Sequence, residues 1–214
     1  MTVLRVFYGG TFDPVHNGHL AIARAAADSL DSTIRLMPAA DPPHRAPPGA
    51  AATHRAAMVE LAIAGEAGLR IDRRELLRDG RSYSIDTLRE LRASYGDDAS
   101  LALLVGADSF VELPTWKDWR ALFEFAHFVV ADRPGSPIDG GNADLAQVLA
   151  GRWADTPEAL RRSPAGRVFC LRQPLHPESA TDIRRRIAAG APWRKLVPAA
   201  VADYIEHHGL YAAP

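Results

Sequence analysis

The chain has 214 residues, 47% of them hydrophobic, with 25 basic against 26 acidic side chains and a net charge of -1. That is enough apolar material for one large domain or two small ones, and the balanced charge excludes a strongly basic nucleic-acid binder. No apolar run approaches the ~20 residues of a membrane span, no signal-peptide pattern opens the chain, and Cys170 is the only cysteine, so no intrachain disulfide can form; the expected setting is a soluble cytoplasmic protein.

Val3–Tyr8 is a continuous apolar run and reads as a central parallel strand. A glycine- and histidine-containing turn leads to an alanine-rich helix over Leu20–Leu30, and Thr33–Pro38 reads as the second strand. Ala39–Ala52 holds Pro42, Pro43, Pro47 and Pro48 and reads as an extended loop. Thr53 is placed to cap a helix running to about Ala64, and Leu69–Leu77 reads as a strand near the sheet edge. Ile85, Leu88 and Leu91 give Ser84–Tyr95 a helical spacing, ended by Gly96. Leu101–Val105 is a short strand, Trp116–Phe123 a helix, and Phe125–Ala131 a strand. Residues 133–166 read as loop with weak helices around Leu145 and Leu160; Arg133–Gly141 reads as an insertion loop rather than a domain linker. Val168–Leu171 is the last strand, and Ser179–Ala189 and Val197–His207 are closing helices. Strands alternate with helices throughout. The expected fold is therefore α/β: a Rossmann-like, doubly wound, mainly parallel sheet with helices on both faces, in a single domain spanning 1–214 with a helical C-terminal portion at about 179–211.

The turn after the first strand carries the densest chemistry: Gly9, Gly10, Thr11, Phe12, Asp13, Pro14, Val15, His16, Asn17, Gly18 and His19. A strand-to-helix turn is where an open parallel sheet presents its ligand site. Glycine lets the backbone come close to a ligand, and a helix start offers N–H groups and a favourable dipole to phosphate. His16 and His19, three residues apart, share one face of the first helical turn. An H-x-x-H pair is also compatible with a metal site, but no convincing third ligand stands nearby. Asp13 either contributes to the site or only fixes the turn.

This stretch resembles the signature of the nucleotidyltransferase superfamily that contains an H-x-G-H element, and most closely the bacterial nicotinate-mononucleotide adenylyltransferase family. The resemblance runs over about residues 3–211 in the right order. It implies that His16 and His19 contact nucleotide phosphates and stabilise charge in the transition state, that Thr11 and Phe12 line the same turn, and that Gly18 leaves room for the nucleotide. In Pro42-Pro43-His44-Arg45, His44 matches a basic residue that reaches the triphosphate; read without the resemblance, this is a proline-stiffened surface loop. Arg81-Ser82-Tyr83-Ser84 matches an S-Y-T element whose helix-start amides, at Ser84 and Ile85, hold the pyridine carboxylate; a simple N-cap is the alternative for either serine. Asp108, after Gly106-Ala107, is either a ribose ligand or a helix cap.

Pro114-Thr115-Trp116 matches an element that stacks the pyridine ring, leaving Trp119 to packing. Close relatives often carry a second aromatic where this chain has Lys117. Arg133-Pro134-Gly135 matches an R-P-G element near the nucleotide. Ser179-Ala180-Thr181-Asp182-Ile183-Arg184 matches an I-S-x-T-x-I-R element that binds ATP phosphates, with Glu178 at its usually apolar position. Ser179 and Asp182 also have the spacing of a capping box. Only Lys117 and Lys195 are lysines, so arginine is this chain's default cation and weak evidence of function by itself.

The implied reaction moves AMP from ATP, carried with Mg²⁺, to nicotinate mononucleotide, giving nicotinate adenine dinucleotide and pyrophosphate. No Ser-His-Asp triad or nucleophilic cysteine is apparent, and phosphoryl attack needs neither. The alternatives are a related nucleotidyltransferase using nicotinamide mononucleotide or phosphopantetheine or moving a cytidylyl group, and a nucleotide-sensing module without turnover. No nucleic-acid or membrane partner is expected, and a homo-oligomer is compatible with the sequence.

Overall fold

A computed structural model describes residues 2–41, 48–78, 80–131, 142–173 and 176–213. The strands are β1 (Arg5–Gly10), β2 (Ile34–Pro38), β3 (Leu69–Ile71), β4 (Leu101–Gly106), β5 (His127–Ala131), β6 (Trp153–Ala154) and β7 (Val168–Leu171). They form one sheet in the order β3-β2-β1-β4-β5-β7-β6, and every described pairing is parallel. The helices are α1 (Asn17–Leu30), α2 (Ala52–Ile63), α3 (Ser84–Tyr95), α4 (Ala107–Val111), α5 (Leu122–Phe125), α6 (Ala143–Leu149), α7 (Ala180–Ala188) and α8 (Ala199–His207).

Alternation along the strands divides the core in two, as a sheet buried on both faces requires. Val6, Tyr8, Ala102, Leu104 and Val129 face one cluster, closed by Leu20, Ala23 and Ala26 of α1, Met58 and Val59 of α2, and Val201 and Ile205 of α8. Phe7, Leu103, Val105, Phe128 and Val130 face the other, closed by Ile85, Leu88 and Leu91 of α3, Phe110 of α4, Leu122 of α5, and Leu145 and Leu149 of α6. This is the Rossmann-like, doubly wound arrangement expected, with the sheet parallel throughout its described strands. From β1 the chain winds outward through β2 and β3, then returns to β4 beside β1 and winds the other way. The β1/β4 boundary is thus the topological switch point, and ligands bind at the carboxyl ends of such strands.

Several local expectations are corrected. The strand expected over Leu69–Leu77 stops at Ile71: Asp72 Oδ1 accepts the Arg74 N–H at 3.0 Å, and Arg74–Leu77 turn into a 3-10 helix. Thr53 lies inside the first turn of α2, whose cap position is Ala51. Asp118, at φ 51°, interrupts the helix expected over Trp116–Phe123, so helical structure resumes only at Trp119. The short α4 and the two-residue edge strand β6 were not expected, being too short for any hydrophobic period to register. Phe125 and Ala126 finish α5 and its cap rather than starting β5.

Arg92 of α3 is a buried tie at the opposite end of the sheet from the switch-point turn. Its guanidinium donates to the carbonyls of Gly96, Asp97, Ala99, Phe125 and Pro164, joining the segments that enter β4, β5 and β7.

Candidate active site

The turn from β1 to α1 stands at the switch point. Phe12 takes a left-handed backbone, φ 50°, and folds its buried ring over Gly10; a Cβ on Gly10 would stand 2.9 Å from Phe12 Cζ. Gly10 is thereby required by its own turn. Helix α1 starts at Asn17, earlier than the apolar pattern indicated, so both histidines belong to its opening: His16 is the N-cap and His19 lies in the first turn. The His16 N–H donates to His19 Nδ1 at 3.2 Å. Because Nδ1 accepts, the proton of the neutral His19 ring sits on Nε2, which is left as the donor. The His16 and His19 rings lie 3.7 Å apart between centroids, tilted by 30°, and Phe12 meets His19 edge-on at 5.0 Å. A Cβ on Gly18 would stand 3.1 Å from His16 Nδ1 and 3.3 Å from His176 Cβ. The room that Gly18 leaves is filled by the His16 ring.

Asp13 is 4% exposed and joins its own turn to three distant segments. Its Oδ2 accepts the Gly49 N–H at 2.7 Å, and its Oδ1 accepts the Ala50 N–H at 3.1 Å and the Tyr211 hydroxyl at 2.7 Å. Arg184 Nη1 donates to the Asp13 carbonyl at 2.6 Å and stands 3.5 Å from Oδ2. Asp13 therefore fixes the turn, and more: it anchors Arg184, 171 residues away, against the first motif. Burial, reinforced by the Asp13 carboxylate, pushes the Tyr211 phenol above its usual range. Arg55, 1% exposed, braces the same place from α2, donating to the carbonyls of Thr11, Ala39, Ala40 and Ala50. Burial lowers its pKa and the nearby Asp13 carboxylate opposes that shift. The Asp13 hub and Arg55 were not read from the sequence. For Arg55 a signal existed: it falls on the apolar stripe with Met58, Val59 and Ala62, where a solvated arginine has no place.

The second motif caps α7. Ser179 Oγ accepts the Asp182 N–H at 3.1 Å, as the capping-box spacing indicated. Asp182 pairs with Arg185 and Arg186, which leaves Arg184 to turn the other way, with Nη2 3.5 Å from Thr181 Oγ1. Ser179 and Thr181 are exposed. His176, on the approach to α7, adjoins Gly18 and stands 3.5 Å from Glu178 Oε2, a neighbour to the first motif that sequence spacing gave no reason to expect.

Across β4, α3 starts at Ser84 with Tyr83 as an N-cap whose side chain makes no cap bond, so Ser84 itself is not the cap. Ser82 Oγ instead accepts the Ala40 N–H at 3.0 Å and ties the loop after β2 to this helix start. The Ile85 side chain is fully buried in the core, so only its backbone is offered to a ligand. Trp119 is core, whereas Trp116 is half-buried on the margin of the second cluster, against which Tyr83 also packs. Asp108 is exposed in the first turn of α4, directly after β4; the cap position belongs to Gly106. Gly9 is the last residue but one of β1, and a Cβ there would make only ordinary contact with Leu103. His44 and Arg133 lie outside the described residues.

The cytidylyltransferase-like family profile matches residues 7–186. A protein of Stenotrophomonas maltophilia (strain K279a) described as a probable nicotinate-nucleotide adenylyltransferase is 58% identical over 220 residues, which cover 100% of this chain and 99% of the relative. A protein of the same description from Xylella fastidiosa (strain M12) is 47% identical over 216 residues, covering 99% and 97%. The solved structure of Plasmodium falciparum nicotinic acid mononucleotide adenylyltransferase complexed with NaAD superposes with a TM-score of 0.73 at 16% identity, covering 98% of this chain and 97% of that one, and so shares the fold. With the sequence matched along its full length, the chain belongs to the bacterial nicotinate-nucleotide adenylyltransferase family.

Proposed function

We propose that the protein transfers the adenylyl group of ATP to nicotinate mononucleotide, releasing pyrophosphate and forming nicotinate adenine dinucleotide. The observation that carries this reading is the contact of Arg184 with the Asp13 turn, which brings two phosphate-type helix starts together at the switch point. Family membership supplies the acceptor. In the reaction an oxygen of the mononucleotide phosphate attacks the α-phosphorus of ATP in line, the bond from that phosphorus to the bridging oxygen breaks, and pyrophosphate leaves. A phosphate dianion is already a nucleophile at neutral pH, so no general base is needed. The protein supplies position and charge stabilisation.

His16 and His19 face the bond that breaks, with His19 donating from Nε2. Arg184 meets the charge that accumulates on the phosphates, while Ser179 and Thr181 offer hydroxyls at the same helix start. The Gly9–Phe12 turn lets the nucleotide approach the backbone. By the family resemblance, His44 and Arg133 add cations from their loops. Among the described residues no cluster of three or more His, Cys, Asp or Glu side chains is placed to hold a metal ion. Mg²⁺ would be carried in with the ATP phosphates, where it would offset their negative charge. On the acceptor side, the start of α3 at Ser84 and Ile85 receives the pyridine carboxylate, Trp116 stacks on the ring, and Asp108 accepts from ribose hydroxyls.

Pyrophosphate release from ATP, measured with nicotinate mononucleotide, nicotinamide mononucleotide and phosphopantetheine in turn, tests the reading. The nicotinate form is expected to give the highest kcat/KM. A faster nicotinamide form overturns the acceptor assignment, and no release with any acceptor overturns the enzymatic reading.

A further inference from the structure

Lys117 stands where its charge bears on the acceptor end of the site. Its Nζ lies 4.7 Å from the centre of the Tyr83 ring and 3.2 Å from Asp86 Oδ2. Tyr83 is the cap residue of α3 and Asp86 is in the first turn of that helix. The ammonium is therefore fastened to the helix start next to half-buried Trp116, its chain neighbour. Asp86 creates a difficulty for a carboxylate-bearing ligand there, since a like charge within one helical turn opposes it. Two cations answer it. Arg89 Nη1 stands 3.1 Å from Asp86 Oδ1, but Arg89 also faces Asp118 Oδ2 at 3.8 Å. The group formed by Asp86, Asp118, Arg89 and Lys117 is neutral, and without Lys117 it carries one net negative charge. A ring carboxylate feels that difference directly; a neutral ring carboxamide does not.

We propose that Lys117 is a specificity-determining residue, whose ammonium over Tyr83 and against Asp86 selects an acceptor ring carrying a carboxylate over one carrying a carboxamide. The proposal rests on the reading that a pyridine mononucleotide binds at the start of α3. Side-chain exposures of 43% for Lys117 and 34% for Asp86 mean that water screens the effect, which sets its size at about fivefold in relative kcat/KM and makes it salt-sensitive.

The test compares kcat and KM for nicotinate and nicotinamide mononucleotides, at low and high salt, in the wild type and in Lys117→Met, Lys117→Arg and Asp86→Asn. Lys117→Met is expected to lower the preference for the nicotinate form about fivefold, through KM for that form alone. Asp86→Asn is expected to raise the preference, Lys117→Arg to keep it, and high salt to compress the differences. Equal losses for both acceptors in Lys117→Met, or an unchanged preference, overturn the proposal. A wild type that adenylylates neither pyridine mononucleotide fails at an earlier step and overturns the functional reading with it.

Discussion

His19 is held by three contacts at once: the His16 N–H on Nδ1, the His16 ring at 3.7 Å and the Phe12 edge at 5.0 Å. That fixes both its orientation and its tautomer before any substrate arrives, which is the preorganisation that makes charge stabilisation effective. His19→Ala is expected to lower kcat by at least ~10², the scale of losing one well-placed stabiliser, with the fold retained by circular dichroism. Steady-state pyrophosphate release measures it. The histidine pair was readable because both members lie within four consecutive positions and share a helical turn. Asp13 was only half readable. Its neighbours in sequence say turn, but its partners are Gly49, Ala50, Arg184 and Tyr211, and no local pattern encodes contacts of that separation.

At the scale of elements, α7 separates two roles that one residue can carry. Ser179 caps the helix and also stands where ATP phosphate is expected. Aspartate caps a helix as well as serine does, but its charge repels phosphate. Ser179→Asp is therefore expected to leave the melting temperature nearly unchanged while raising KM for ATP at least about fivefold, since charge repulsion at a helix start costs on the order of 1 kcal/mol or more. Equal KM values in variant and wild type would confine Ser179 to capping. The same element shows what periodicity can reveal: β1, α3 and β7 were legible because long apolar patterns or clear caps bound them. β3 was overrun because Asp72 starts a turn using a side-chain bond that propensity does not register, and the Trp116–Phe123 pattern hides a left-handed residue at Asp118.

For the molecule as a whole, two buried arginines do much of the joining. Arginine's abundance argued for discounting it, and that holds for the solvated ones; it fails for Arg55 and Arg92, whose guanidinium groups each satisfy several backbone carbonyls from separate segments. Arg55→Leu leaves the carbonyls of Thr11, Ala39, Ala40 and Ala50 without that donor and is expected to cost at least about 3 kcal/mol, read from denaturant unfolding. Tyr211 adds a pH dependence. Its phenol is raised by burial and by Asp13, so the folded state favours the protonated form. The stability it contributes is complete below the ordinary phenol pKa of about 10 and is lost as pH rises past it. The melting-temperature difference between wild type and Tyr211→Phe should thus be positive near about pH 8 and shrink above about pH 10. A difference that grows with alkalinity would contradict the Asp13 contact.

The Asp13–Tyr211 bond also sets an order of events during synthesis. On the ribosome the histidine turn emerges well before its partners: the hydroxyl that completes Asp13 follows 198 positions later, and Arg184 follows after 171. N-terminal structure generally forms first on a growing chain. Here that early structure holds a buried carboxylate still waiting for its distant partners. A nascent chain, or one clipped ahead of Tyr211, thus presents the histidine turn with an Asp13 carboxylate that still lacks its most distant donor.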